Sequence, residues 1–227
     1  MSQVALVYTY FGRDNYERFL ESYHKHPAGY PHDFFPMLPD EGMNVGVYLK
    51  AAERLDHDFL CCCTAYTEFL TDNWLQKMMN DAVRLDVGAV DVMGSYESRA
   101  QWGYDGPDAA NDFAPFPNPH LRVVCLLLRR EMLLKFPAPL SKLDTLRFES
   151  GKDGLPAYIK RSCLRQMVVG ANGIAYEERL WPVSGTFRSG KQENLIAHDK
   201  HSRHFRDSTP EMQEWLTRIA YNGDMGP

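Results

Sequence analysis

The stretch from Phe59 to Leu75 reads F-L-C-C-C-T-A-Y-T-E-F-L-T-D-N-W-L and is the strongest indication of the fold. A short apolar run turns polar at Thr64 and leads into the start of a helix near Trp74. Such a run predicts a strand that is buried on both faces. In an open α/β sheet, side chains just beyond the carboxyl end of a strand face a crevice instead of the core. We therefore expect functional groups near Thr64 and Tyr66.

The segments on either side of this stretch alternate between strand and helix patterns. This alternation predicts one α/β domain with a central, mostly parallel sheet flanked by helices. Thr71 or Asp72 is expected to cap the third helix, because a short oxygen-bearing side chain accepts the first free backbone N–H groups. Strand patterns cover 4–10, 32–38, 59–63, 87–93, 121–128 and 167–170, and helical spacing covers 16–23, 47–55, 74–84, 156–164 and 212–219.

Composition and charge narrow the class of protein. The chain has 227 residues, of which 44% are apolar and 24% charged, as in an ordinary globular domain. A net charge of -5 argues against nucleic acid as the main partner, since nucleic acids are held through neutralised phosphates. The amino terminus has no secretory pattern, and no run approaches the roughly 20 apolar residues of a transmembrane helix. We expect a cytoplasmic protein, either free or at the periphery of a membrane.

Five cysteines include the consecutive Cys61, Cys62 and Cys63. Adjacent strand residues point to opposite faces, so this triplet is poor material for disulfides and favours a reducing compartment. A zinc site is the alternative, but the chain has no C-x-x-C pair, and Cys125 and Cys163 stand apart. We favour buried, weakly polar side chains.

Seven segments stand out in a fixed order: F-L-E-S-Y (19–23), the 59–75 stretch, V-G-A-V-D-V-M-G-S-Y-E-S (87–98), F-P-N-P-H-L-R (116–122), F-E-S-G (148–151), V-V-G-A-N-G (168–173) and W-P-V-S-G-T-F-R-S-G-K-Q-E-N-L (181–195). In this order and spacing they resemble the bacterial nucleotide-sugar-dependent glycosyltransferases of the A-type fold. The resemblance implies a hexosyl- or deoxyhexosyltransferase of cell-surface polysaccharide synthesis, whose acceptor is a saccharide or lipid-linked hydroxyl. It also implies a donor nucleotide-binding half at about 1–100 and an acceptor and catalytic half at about 101–227.

An inverting enzyme of this family uses one carboxylate as a general base, and the resemblance implies Glu149. Partial burial beside Leu146 and Phe148 would raise its pKa toward neutrality, as a base requires. The alternative is a carboxylate near a helix N-terminus, which complements the helix dipole and has a lowered pKa. Asp144 is the second candidate base, and a solvated loop acid is its alternative.

The remaining candidates divide into a donor side and an acceptor side. A core edge, a turn or a solvated loop is the alternative for each of them taken singly. Aromatic rings at the acceptor side would stack on the apolar faces of sugars. The donor-side candidates are Thr9, Tyr10, Gly12, Asn44, Thr64, Tyr66, Arg188, Lys191 and His198, and the acceptor-side candidates are Trp102, His120, Arg122 and Trp181.

Whether the protein needs a divalent metal is decided by the residues that follow the 59–63 strand. Thr64, Ala65 and Tyr66 stand where the family ordinarily carries an Asp-X-Asp clamp, and Mg or Mn needs at least one carboxylate ligand. We predict weak or no metal dependence, with the diphosphate neutralised by fixed positive charge. Two alternatives remain: a nucleotide-sugar-binding module without turnover, and a metal hydrolase built on four late residues, His198, Asp199, His201 and His204.

Overall fold

The computed structural model describes residues 2–39, 43–101 and 109–223. Two short 3₁₀ helices, Arg99–Gln101 and Glu178–Val183, accompany the main elements. In chain order these are β1 (Val4–Thr9), α1 (Arg13–Lys25), β2 (Asp33–Met37), α2 (Met43–Arg54), β3 (Phe59–Cys63), β4 (Glu68–Phe69), α3 (Trp74–Ala82), β5 (Val87–Asp91), β6 (Gly94–Ser95), α4 (Ala109–Asp112), β7 (His120–Leu121), β8 (Cys125–Arg129), α5 (Arg130–Leu133), α6 (Lys142–Ser150), α7 (Leu155–Arg161), β9 (Arg165–Val169), β10 (Ala175–Glu177), β11 (Ala197–His198), α8 (Lys200–Arg206) and α9 (Pro210–Tyr221).

The central sheet has seven strands in the order β10-β9-β5-β8-β3-β1-β2. Parallel pairing joins β1 to β2, β1 to β3, and β5 to β9. β8 runs antiparallel to both of its neighbours, β3 and β5, and β10 runs antiparallel to β9. Five of the seven strands therefore run in one direction, and β8 and β10 run in the other. This mixed, mostly parallel sheet confirms the α/β class that the alternating pattern predicts.

Helices cover both faces of the sheet. On one face the Phe19 ring of α1 packs against Tyr8 of β1 with ring centroids 4.1 Å apart, and Met78 of α3 reaches Cys125 of β8. On the other face Tyr48 of α2 lies beside Cys62. Every residue of β1 and β3 is buried, which explains why their sequences are continuously apolar instead of alternating.

Two local expectations are wrong. Neither Thr71 nor Asp72 caps α3: the helix begins after Asn73, whose φ is 58° and whose side chain makes no capping bond. Asp72 instead pairs with His26 at 2.8 Å, and Thr71 accepts a hydrogen bond from Lys77. The 121–128 strand is broken, because β7 pairs with β6 and β8 starts only at Cys125.

Asp91 joins the ends of two antiparallel strands. Its fully buried carboxylate accepts backbone N–H bonds from Val92, Val124 and Cys125 at 2.7 to 3.1 Å. Burial raises the pKa of Asp91 to about 7. These bonds hold the segment before β8 against the carboxyl end of β5, where the crevice of the sheet lies. In the part of the chain that the structure describes, no helix has the length and apolar character to cross a membrane.

Candidate active site

Glu149 is the next-to-last residue of α6, and its side chain is partly buried. The helix ends there because Gly151 turns the chain: a Cβ at Gly151 would lie 2.5 Å from the Arg147 carbonyl oxygen. This position corrects the interpretation of Glu149 as an acid near a helix N-terminus. At a C-terminal end the helix dipole disfavours a carboxylate.

Burial is the largest effect on Glu149 and raises the pKa of its carboxyl above the ordinary value. Positive charge on Arg122, Arg99 and Lys200, together with a hydrogen bond from the Asn44 amide, opposes burial without cancelling it. The site thus combines a carboxylate of raised proton affinity with fixed positive charge nearby. That pairing suits a group that must take a proton near neutral pH.

The three cations come from separate elements. Arg122 lies between β7 and β8, Arg99 begins a 3₁₀ helix, and Lys200 is the first residue of α8. The Lys200 ammonium lies over the Tyr66 ring, 5.4 Å from its centroid. Tyr66 follows the tip of β3, so Lys200 connects the strand end that the sequence singles out with Glu149.

Arg122 is held by a second carboxylate, Glu97. Arg122 Nη1 donates to Glu97 Oε2 at 2.8 Å, and Arg188 donates to the other oxygen of the same carboxylate. Both guanidinium groups lie over the Phe187 ring, each 4.8 Å from its centroid. Although burial raises the pKa of Glu97, the charges of Arg122 and Arg188 outweigh it and hold the pKa below its usual value.

This network changes the expected role of Arg188. Its side chain is only 8% exposed and is engaged by Glu97, so it supports Arg122 and is not placed to bind a ligand phosphate. Sequence reasoning missed Glu97 altogether. The sequence feature that could have indicated Glu97 is its position in Y-E-S, directly after a buried strand and the short β6.

Two histidines near this network are neutral at pH 7. Burial, followed by the charge of Arg122, lowers the pKa of His120 to about 4, and the same two causes lower that of His201 to about 4. His120 Nδ1 lies 2.8 Å from the Asn118 carbonyl oxygen and donates to it, which assigns the tautomer with Nε2 unprotonated. The predicted acceptor-side His120 therefore adds no positive charge to the site.

An aromatic depression lies beyond the carboxyl ends of β1 and β2. Tyr10, Tyr16, Pro36 and Leu38 line this open space of about 290 Å³. The Tyr10 and Tyr16 rings meet edge to face with centroids 5.2 Å apart. An aromatic surface of this kind can receive a planar ring by stacking, which agrees with Tyr10 as a donor-side candidate.

Two hydroxyls under the site have no well-formed hydrogen bond. Among the described residues, no hydrogen-bond partner reaches the buried Thr9 Oγ1 or Tyr48 Oη, although the Tyr48 phenol faces both Thr9 and Asn44. Buried polar atoms without partners are uncommon and indicate a functional site or an unseen ligand or water. Because Asn44 also bonds Glu149, these hydroxyls belong to the same site. Tyr48 is a second residue that sequence reasoning missed.

Two predicted residues have other roles. Asp144 accepts a hydrogen bond from Ser141 Oγ at 2.9 Å and pairs with Arg147 at 3.0 Å in the first turn of α6, and these bonds lower its pKa. Ser141 is the N-cap of α6, and Asp144 stabilises the first turn behind it, so Asp144 is neither a poised base nor a solvated loop acid. Trp181 is fully buried, donates to the Tyr176 carbonyl and packs directly on Gly94, so it presents no face to a sugar.

The remaining candidates make other contacts. Lys191 is exposed, and its backbone bonds Glu193. His198 is buried with ring nitrogens 3.1 Å from Ser202 Oγ and 3.4 Å from Arg206 Nη1.

Gly12 precedes α1 with a φ of 84°, which accounts for glycine there by backbone conformation alone. Thr64 pairs with Thr67 at the tip of β3. Trp102 lies outside the described residues.

The residues present do not fit a Mg or Mn clamp on a diphosphate. Thr64 offers only a hydroxyl, and the buried Ala65 carbonyl accepts from the Tyr8 phenol at 3.0 Å. Glu68, the nearest acid, is paired with Arg203 at 2.6 Å. A hard cation needs free carboxylate oxygens, and within the described part of the chain none stands at this strand tip.

The late histidines do not form a metal site either. His204 is exposed, and both ring nitrogens of His198 face other side chains. Across residues 2–39, 43–101 and 109–223, the group of His, Cys, Asp and Glu side chains close enough to share an ion is Cys61, Cys63 and Cys125. The described residues therefore give no support to the hydrolase alternative.

Comparisons with known proteins give little help. No protein-family model matches the chain, and no curated protein matches it. Among solved structures, the chain is similar to HddC from Yersinia pseudotuberculosis at 13% identity and a TM-score of 0.34, over 66% of this chain and 67% of that one. At this distance the match defines neither the fold nor the activity of this protein.

Proposed function

We propose that this protein is an A-type glycosyltransferase that moves a sugar from a nucleotide-sugar donor to a hydroxyl of a saccharide or lipid-linked acceptor, with inversion. The observation that carries the proposal is Glu149: a carboxyl of raised pKa with Arg99, Arg122 and Lys200 as neighbours. Transfer with inversion needs one base for the attacking hydroxyl and positive charge for the leaving diphosphate. One site supplies both.

Each group has a definite role in this reaction. Glu149 removes the acceptor hydroxyl proton while the oxygen attacks the anomeric carbon, and the donor's bond to the diphosphate breaks. Arg122, Arg99 and Lys200 stabilise the negative charge that develops on the leaving oxygens, as preorganised cations do in a site that excludes water. Tyr10 and Tyr16 would hold the base of the nucleotide. No step in this scheme requires a divalent cation.

A binding module without turnover is the competing proposal. It would use the same aromatic depression and the same cations. A module that only binds an anionic nucleotide gains nothing from a partly buried carboxylate beside the cations, because the like charges of carboxylate and phosphate repel. The presence of Glu149 in that position therefore favours the enzyme.

The test is Glu149→Gln, which keeps the size of the side chain and removes the base. We expect kcat for sugar transfer to fall by about 10²- to 10⁴-fold, the usual contribution of a general base, with the nucleotide Kd nearly unchanged. A thermal-shift screen of nucleoside diphosphates and nucleotide sugars first identifies the donor, because a ligand of the folded state raises the melting temperature. Transfer is then measured in excess chelator.

Asp144→Asn is the matched control, since it changes an acid of the same helix away from the cations. Unchanged turnover in Glu149→Gln would remove this residue as the base. Donor binding without transfer or donor hydrolysis, over a broad panel of acceptors, would establish the binding module instead. Strict dependence on Mn or Mg would contradict the metal-independent scheme.

A further inference from the structure

We propose that Cys61, Cys63 and Cys125 form a zinc site inside the sheet, separate from the candidate active site. The three Sγ atoms all lie within 4.8 Å of one another. Cys125 is the central member, because its Sγ is 3.6 Å from that of Cys61 and 3.6 Å from that of Cys63. Nothing in the proposed glycosyl transfer uses these thiols.

Sheet register places the three thiols on one face. Cys61 and Cys63 are two residues apart in β3 and so point the same way, and Cys63 is the direct antiparallel partner of Cys125 in β8. Four tetrahedral sulfur ligands at the usual Zn–S distance are about 3.8 Å apart. The spacing around Cys125 is already close to that value, so binding needs only small side-chain movements.

A fourth sulfur lies at the same place. Met78 of α3 is fully buried, and its Sδ is 3.9 Å from Cys125 Sγ. An all-sulfur set excludes hard cations such as Mg and Ca and selects soft ions. With three thiolates, the site would carry one net negative charge when it holds zinc(II) and two when it holds copper(I). Burying net charge costs free energy, and the cost rises with the charge. The charge balance therefore favours zinc.

Burial determines how the ion would enter. All three cysteines have zero exposure, so zinc would be bound while the chain folds and not by diffusion into the finished core. Each thiol that ligates releases its proton to water. The bound ion would then connect β3, β8 and α3 from inside, and its binding free energy would add to the stability of the fold.

The test measures zinc in the full chain expressed in zinc-supplemented medium and purified under reducing conditions. We expect one zinc per chain by native mass spectrometry and by release with a mercurial reagent. Cys125→Ser should lose it. Cys62→Ser is the matched control, because Cys62 is equally buried but points to the opposite face, and this variant should keep its zinc.

Cadmium refolding supplies a second measurement in case Cys125→Ser does not fold. Wild-type protein that is unfolded, stripped of metal and refolded with cadmium should show thiolate-to-metal charge-transfer absorption, and Cys62→Ser should show the same band. Substoichiometric zinc in the purified chain together with no cadmium band would overturn the proposal. A disulfide among the three cysteines in the purified protein would also overturn it. Stoichiometric copper would overturn the choice of zinc.

Discussion

Glu97 and Glu149 share Arg122 as a neighbour, yet their pKa values move in opposite directions. Glu97 is in direct contact with two guanidinium groups, and its pKa is lowered despite burial. Glu149 is hydrogen-bonded to a neutral amide and makes no ion pair with a residue that the structure describes, so burial prevails and its pKa is raised. Direct ion pairing lowers the pKa of a carboxyl and makes it an anchor, whereas burial raises the pKa, as the proposed role of Glu149 as a base requires.

The surroundings of Glu97 and of Glu149 are linked through Arg122. Glu97 fixes Arg122 from one side, and the fixed guanidinium then limits how far burial can raise the pKa of Glu149. Two acids of the same kind thus have different roles because their contacts differ. Removing one acid at a time should separate these roles.

Glu97→Gln should have the largest effect on stability. It removes the shared ion-pair partner of Arg122 and Arg188, whose side chains are only 17% and 8% exposed, and leaves both guanidinium groups without that direct contact. Breaking a buried ion pair in this way costs about 3 to 5 kcal/mol of unfolding free energy. Urea denaturation measures the loss.

Glu149→Gln is the control for that measurement. In the wild type, the Glu149 carboxylate makes no ion pair as short as those of Glu97 with any described residue. Replacing it by a neutral amide should therefore leave the unfolding free energy unchanged or slightly higher. Equal losses in the two variants would refute the distinction between anchor and base.

The two carboxylates should also give opposite pH dependences of stability. The folded-state pKa of Glu149 is raised, so its stabilising contribution is full below its ordinary pKa of 4.5 and is lost as pH rises through the folded value. The folded-state pKa of Glu97 is lowered, so its contribution is present above 4.5 and is lost as pH falls through the folded value. These contributions are smaller than the cost of breaking the Glu97 pair.

Unfolding free energies of the wild type and both variants, measured between about pH 3 and 7, test this contrast. The difference between Glu149→Gln and the wild type should move in favour of the variant as pH rises above 4.5. The deficit of Glu97→Gln should shrink as pH falls below 4.5. His120 and His201, whose pKa values are lowered to about 4, are common to Glu149→Gln and the wild type and cancel in that difference. In Glu97→Gln they do not cancel, because the charge of Glu97 raises the pKa of His120, so the deficit of this variant reports the carboxylate and its histidine neighbours together. Parallel curves would contradict the opposite shifts.

The sequence predicted the sheet better than it predicted the site. β3 was predicted residue for residue, because a strand buried on both faces is a continuous apolar run with a clear end. The same information cannot reveal that β8 runs antiparallel between β3 and β5, since the direction of a strand depends on connections and not on its own residues. Helix α6 was missed because its apolar residues do not form one face.

For the candidate site, the sequence points to single residues but not to the contacts between them. Glu149, Asn44, Arg122 and Tyr66 were each named from the sequence, and the structure places them in one neighbourhood. Glu97 was missed because its importance comes from partners 25 and 91 positions later in the chain. Local patterns carry no information on such distant pairs, and long-range contacts decide which charged loop residues are functional.

Asp144→Asn should have the smallest effect, and it compares the two acids of α6. Asp144 is partly exposed and pairs with the exposed Arg147, and an asparagine oxygen can still accept from Ser141. The loss of unfolding free energy should therefore stay below about 1 kcal/mol, the usual limit for a surface ion pair. Sugar transfer should be unchanged, because the cations surround Glu149 one and a half turns further along the helix. A large loss of turnover with an intact fold would move the base from the carboxyl end of α6 to its first turn.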